Sequence, residues 1–276
     1  MDTHKKILRY FEQDSGILAL IVIGSRARDT ADEYADLDVI VVTASPRDYL
    51  DSDDWLENIG PFQISFLEES FLGSKARRTL FDDCMDADLI ILNPEQAKGI
   101  QEIPGLFARG YRVIKDEAGI SAGLREINAE ESIIMTEGKF QNLANDFWFH
   151  SIWAAKKLLR GDLFTAKYCI DVYMKRLLLT LIEARAQLNG CGDTWYNGRF
   201  IEQWADQWVL ERLSAAYTTY NVEDIARALL VNMDFFADMA AEIAHKRDCA
   251  YPKNAETRAY QTVRKLLLNG NTNGIS

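Results

Sequence analysis

Ile17-Leu-Ala-Leu-Ile-Val-Ile23-Gly24-Ser25, then ten residues, then Asp36-Leu37-Asp38-Val39-Ile40-Val41-Val42: this stretch holds two strands and the turn between them. Ile17 to Ile23 is an unbroken apolar run, as expected of a strand buried on both faces. It ends in Gly-Ser, and a polar, Asp-rich loop follows. The next strand opens with Asp-x-Asp. Side chains two apart on a strand share one face, so Asp36 and Asp38 point the same way beside the Gly24-Ser25 turn. Two neighbouring carboxylates repel and raise each other's pKa, a conflict that a divalent cation removes. Mg²⁺ is typically held by one or two carboxylates plus substrate phosphates. Gly24 lets backbone approach closely, and the Ser25 hydroxyl with nearby N–H groups can hold phosphate oxygens. Arg26 and Arg28 can add charge-assisted contacts.

Working outward, Thr3 to Gln13 reads as an amphipathic helix with Ile7, Leu8 and Phe11 on one side. Phe62 to Leu67, Arg77 to Phe81 and Asp88 to Leu92 read as further strands. The expected fold class is α+β, with a mixed five-stranded sheet in the first domain and flanking helices. Asp88 opens the strand Asp-Leu-Ile-Ile-Leu after a polar turn, with Asp86 on the same face. A carboxylate there can face the same metal centre or take a proton from an attacking hydroxyl, and spacing does not choose between the two.

Proline separates this half from the next. Pro46, Pro61, Pro94 and Pro104 fall early, and the following one is Pro252. Proline is excluded from helix interiors, so the long gap suits helices. Apolar residues recur at helical spacing from Phe140 to Leu158, Leu163 to Leu188, Phe200 to Leu213, Val222 to His245 and Ala255 to Leu268. These predict an all-α bundle. Ala118 to Arg125, rich in small residues, is the expected linker, which sets the domains at 1–120 and 121–276.

Charge divides the same way. The net charge is −11; residues 1–120 hold 13 basic and 23 acidic residues, a net of −10. That balance disfavours a nucleic-acid partner, which needs a basic footprint. It suits a cationic small molecule or a metal ion. No apolar run approaches the ~18 residues of a membrane span, and Met-Asp-Thr-His-Lys-Lys has no signal-peptide character, so a cytoplasmic location is expected. Cys84, Cys169, Cys191 and Cys249 form no C-x-x-C pair, and with His4, His150 and His245 they give no zinc spacing.

The signature Gly24-Ser25-x10-Asp36-x-Asp38 resembles that of the DNA polymerase beta-like nucleotidyltransferases. Asp54-Trp55-Leu56-Glu57 with Gly60, Arg78-x-Leu80-Phe81-Asp82-Asp83, Asp88-Leu89, and Asn145-Asp146-Phe147-Trp148 with Lys156 and Arg160 resemble the aminoglycoside 6-adenylyltransferases, also called streptomycin adenylyltransferases. The chain departs from the family at Arg26-Ala-Arg-Asp29 and over residues 93–105. By resemblance, the first domain is a nucleotidyltransferase domain that binds Mg²⁺ and ATP, the latter as co-substrate. Asp36 and Asp38 would bind the metal, with Asp88 as third carboxylate. Gly24, Ser25, Arg26 and Lys156 would contact the nucleotide. The acceptor would be an aminoglycoside such as streptomycin, bound by the helical domain. The alternatives are the same chemistry on a lincosamide or metabolite, and a non-catalytic or antitoxin-type module on this fold. Trp148 and Trp153 sit among apolar helical positions and are expected in the core. His150 has no partner motif.

Three other patterns lack their context. Gly119-Ile-Ser-Ala-Gly123 has no preceding strand for a nucleophile elbow. Gly73-Ser-Lys75 lacks the first glycine of a P-loop. Asp51-Ser-Asp-Asp54 lacks the turn glycine of a calcium loop, since Leu56 takes its place.

Overall fold

The computed structural model describes residues 2–28, 30–107, 110–124, 135–192, 194 and 196–272. It forms two compact units, Met1–Ile134 and Met135–Ser276.

The first unit is built on a mixed sheet of six strands, in the order β3-β4-β5-β2-β1-β6. These are β1 (Ile17–Ile23), β2 (Leu37–Thr43), β3 (Phe62–Glu69), β4 (Lys75–Phe81), β5 (Asp86–Leu92) and β6 (Arg112–Asp116). Only β2 and β5 run parallel. The three central strands are nearly continuously buried because both faces are covered. Ile7 and Phe11 of the Thr3–Gln13 helix pack with Leu20, Val22, Leu37 and Val39 on one face. Ala97, Ile100, Phe107 and Leu124 pack with Ile21, Ile23, Ile40 and Ile90 on the other.

The sequence predicts five strands, and the sixth is β6. Its five residues, Arg-Val-Ile-Lys-Asp, line an edge, carry three charges and are at most half-buried. Such a strand lacks the apolar signal of its neighbours. The expected linker is also revised. Asp116 accepts hydrogen bonds from Ile120 N and Ser121 N, both at 2.9 Å, and so holds the start of a short helix, Ser121–Leu124. Leu124 is buried under the sheet. The first unit therefore extends past the expected boundary at residue 120.

The second unit is all-helical among its described residues. Its main helices are Glu137–Leu159, Leu163–Tyr168, Met174–Leu188, Gln207–Ala215, Val222–Arg247 and Lys253–Thr272. One π turn, Cys169–Tyr173, joins the second to the third, within what reads as one helix in the sequence. The expected helix from Phe200 to Leu213 is broken in two. Phe200 is left-handed, Ala205 is extended, and the Asp206 side chain accepts from Val209 N to start a new helix. Asp as an N-cap competes locally with helix continuation. Phe147 stacks on Phe236 with ring centroids 3.8 Å apart at 9°. Trp148 is buried edge-on to Phe236 and donates from its indole nitrogen to Tyr251 OH at 3.1 Å.

Candidate active site

The site begins at the end of β1. Gly24 has φ +73°, and a Cβ there would overlap the Asp38 carboxylate. Both the conformation and the close approach need glycine. Ser25 opens a 3₁₀ turn, Ser25–Ala27, whose Ser25 carbonyl accepts from Arg28 N at 3.2 Å and Thr30 N at 3.3 Å. The Ser25 side chain is buried and its Oγ has no hydrogen-bond partner among the described residues.

Strand register brings the acidic residues together. Ile23 of β1 pairs with Asp38 of β2, Asp38 with Asp88 of β5, and Asp88 with Arg78 of β4. Directly paired residues share a face, so Asp38, Asp88 and Arg78 form a row across three strands. Asp36 precedes β2 and lies close enough to Asp88 to repel its charge.

Asp88 Oδ2 accepts from Arg78 Nη2 at 3.0 Å. Its Oδ1 is buried without a hydrogen-bond partner among the described residues. Burial pushes the Asp88 carboxyl above the usual carboxylate range, against the pull of Arg78. Burial dominates because no donor among the described residues reaches Oδ1 to stabilise its charge. Burial also penalises the Arg78 guanidinium, but its pairing with Asp88 and Glu68 outweighs this and raises its pKa. Arg78 Nε lies 3.1 Å from Glu68 Oε2, without hydrogen-bond alignment.

Arg26 turns to the loop rather than outward. Its Nε donates to the Ala35 and Asp36 carbonyls at 3.1 and 3.0 Å, and its Nη2 to Ala35 O at 2.6 Å. The guanidinium thus fixes the backbone that presents Asp36. Lys156 belongs to the second unit and is exposed on the Glu137–Leu159 helix. On the same helix His150 Nδ1 lies 2.7 Å from Asp146 Oδ1, and Tyr173 OH donates to the same carboxylate at 2.9 and 3.1 Å. Arg78 was not singled out from sequence as a site residue. Only the pairing of β4 with β5 sets it against Asp88.

The donors can be tested against Mg²⁺. Among the described residues no three His, Cys, Asp or Glu side chains are gathered closely enough to enclose a metal ion. Asp38 and Asp88 stand side by side through strand register. A pair of carboxylates suits Mg²⁺, which keeps positions for substrate phosphates. The unsatisfied Asp88 Oδ1 and Ser25 Oγ, with the Asp38 carboxylate packed against Gly24, fit a cation and a phosphate arriving together.

With this geometry in view, the comparison with known families is informative. The model of the streptomycin adenylyltransferase family matches residues 1–266. The chain belongs to the streptomycin adenylyltransferase family. As a member it is an adenylyl-transferring enzyme with a nucleotide co-substrate and a small-molecule acceptor. The chain is also similar to a solved aminoglycoside 6-adenyltransferase from Bacillus subtilis, at 16% identity and TM-score 0.47 over 97% of this chain and 99% of that one. It is similar too to a nucleotidyltransferase-like protein from Exiguobacterium sibiricum, at 10% identity and TM-score 0.37 over 88% of this chain and 77% of that one. No curated protein matches the chain. Among the described residues of this family member, no helix is long and apolar enough to cross a membrane.

Proposed function

We propose that the enzyme transfers AMP from Mg·ATP to a hydroxyl of an aminoglycoside, streptomycin first, releasing pyrophosphate. The observation that carries this reading is the row Asp38–Asp88–Arg78 beside Gly24-Ser25, in a chain of this family.

Asp36 and Asp38 would hold Mg²⁺ together with phosphate oxygens of ATP. Bound there, Mg²⁺ supplies charge neutralisation and Lewis-acid polarisation of the phosphate. The Ser25 hydroxyl and the N–H groups of its 3₁₀ turn hold phosphate oxygens. Asp88 accepts the proton of the attacking hydroxyl at Oδ1, while Arg78 holds Oδ2 and fixes the carboxylate plane. The acceptor oxygen bonds to the α-phosphorus as the bond from that phosphorus to the bridging oxygen breaks, and pyrophosphate leaves. Arg26 acts as a positioning residue for Asp36, and Lys156 adds a point charge toward the triphosphate. Because the reaction consumes ATP, it belongs in the cytoplasm. Modification of the drug by this route would confer resistance.

The test is mass spectrometry of streptomycin and other aminoglycosides after incubation with ATP and Mg²⁺. An AMP adduct is expected, and Asp38→Asn should lower its rate at least about 10²-fold while leaving the melting temperature near wild type. If no aminoglycoside is adenylylated while a lincosamide or metabolite is, the acceptor assignment fails. Wild-type turnover in Asp38→Asn would remove the metal-site reading. Expression in a susceptible host should raise the streptomycin concentration needed to stop growth.

A further inference from the structure

The first unit carries a second polar concavity, on the face of the sheet opposite Asp38. It is a groove of about 730 Å³ between the Thr3–Gln13 helix and β6. Leu37 and Ile114 form part of its floor, and both belong to the cluster packed under the Thr3–Gln13 helix. Asp38 shares the other face with Ile40 and Ile23, so the groove and the acidic row are separated by the sheet.

Five cationic or potentially cationic side chains converge on the groove: His4, Lys5, Arg9, Arg26 and Arg112. Among the described residues of its lining Glu12 is the one acidic residue. This concentration stands out in a segment that carries a net −10 over residues 1–120. Among the described residues neither Arg9 nor Arg112 is ion-paired, and Lys5 makes only an exposed pair with Asp2 at 3.5 Å. Arg26 spends its hydrogen bonds on neutral carbonyls and the Met85 sulfur, and among the described residues it makes no ion pair. His4 registers the resulting field: burial lowers its pKa first and Arg26 next, Asp2 opposes them, and Lys5 and Arg112 add smaller lowering pulls.

We propose that this groove is a binding site for an oligophosphate anion, distinct from the nucleotide site at the Asp38 row. Like charges held around one cavity repel, and an anion of matching shape relieves them. Planar guanidinium groups suit phosphate oxygens, which they can engage two at a time. The length of the anion follows from the helix. His4 and Arg9 are five residues apart, a rise of about 7.5 Å, which one phosphate does not bridge and a chain of two or three does. Cationic side chains outnumber the neutral and acidic hydrogen-bonding groups in the lining, so the phosphate chain is the recognised part. It can come as free oligophosphate or as the tail of a nucleotide.

Isothermal titration of the full chain with inorganic pyrophosphate, in Mg²⁺-free buffer with a chelator, tests the site. Wild type and Asp38→Asn should bind with equal affinity, and pyrophosphate should bind more tightly than orthophosphate. Arg9→Gln and Arg112→Gln should each weaken pyrophosphate about tenfold, as loss of one charge-assisted contact implies. Both side chains are exposed, so melting temperatures should hold. Arg112→Lys, which keeps the charge but not the planar fork, should recover only part of the affinity. Mg²⁺-free ATP as a second titrant separates the sources: binding that needs Arg112 identifies a nucleotide tail, and its absence with pyrophosphate binding intact identifies free oligophosphate. The proposal is overturned if wild type binds no pyrophosphate, if the double variant Arg9→Gln/Arg112→Gln binds as wild type, or if Asp38→Asn or Ser25→Ala abolishes binding instead.

Discussion

At Gly24 two constraints coincide in one residue. The backbone takes φ +73°, and the missing side chain leaves room for the Asp38 carboxylate. Gly24→Ala should cost about 1–3 kcal/mol from the backbone alone, because φ +73° with ψ −156° is open essentially only to glycine. The loss of turnover should be larger, about 10²-fold, because the new methyl displaces Asp38. Comparing the shift in chemical denaturation midpoint with the fall in kcat/KM checks this, and parallel losses explained by unfolding would contradict it. Asp88 makes a different statement. Burial holds its carboxyl above the ordinary range, so the base form that the proposed mechanism requires is lost as pH falls through that raised value. The acid limb of kcat/KM should therefore lie above the ordinary Asp pKa of about 3.9. Linkage carries the matching sign. The folded chain binds this proton more tightly than the unfolded one, so ionised Asp88 lowers stability at neutral pH. Asp88→Asn should reduce kcat by about 10²–10⁴-fold without lowering the melting temperature at pH 7. A lower melting temperature would show instead that the ion pair with Arg78 outweighs burial.

Among the elements of the second unit, the Met174–Leu188 and Val222–Arg247 helices are tied by a buried ammonium. Lys175 Nζ donates to Ala216 O and Asn232 Oδ1, each at 2.7 Å, and its carbon stem is sealed from water. Burial pulls its pKa from 10.5 down to about 8, with Asp171 opposing. Between those two values the unfolded chain holds more protons than the folded one, so this residue makes stability rise with pH across the window. Urea unfolding at pH 7.5 and 9.5 should show that rise in wild type and a smaller one in Lys175→Met. The variant should also lose about 1–3 kcal/mol at pH 7.5, because two buried carbonyl oxygens each lose a donor. An identical pH response in both proteins would mean that Lys175 stays charged throughout. The π turn at Cys169–Tyr173 belongs to the same scale: it shifts the helical register, so the faces before and after it are not continuous.

Over the whole molecule, charge is the property with the longest reach. A net −11, nearly all of it in residues 1–120, gives a field that draws in a polycation and holds off free anions. For streptomycin, kcat/KM should fall on the order of tenfold from 50 to 500 mM salt as the Debye length shrinks from above 10 Å to a few Å. Steady-state rates at saturating ATP over a salt series measure it. A flat series would show that encounter is not steered by this field. The cationic groove behind the sheet is the local exception to the same charge distribution, and it matters because oligophosphate is otherwise repelled.

The turn at Gly24-Ser25 and the strand that carries Asp38 are legible in the chain because they depend on neighbours, whereas Asp36 falls one residue before that strand. A long apolar run makes a buried strand wherever it packs, and residues two apart share a face by covalent geometry. The helical character of the second half is legible for the same reason, through the spacing of Phe140, Ala144, Phe147 and Trp148, all buried. What folding alone decides is which distant segments lie side by side. Asp88 stands opposite Asp38 because β5 pairs in parallel with β2, and Arg78 reaches Asp88 because β4 pairs with β5. Arg26 gives its donors to the Asp36 loop, and Arg112 joins His4 in the groove only once β6 closes the edge of the sheet. Strand pairing between segments tens of residues apart is set by the packing of both faces at once, which no local window of sequence contains.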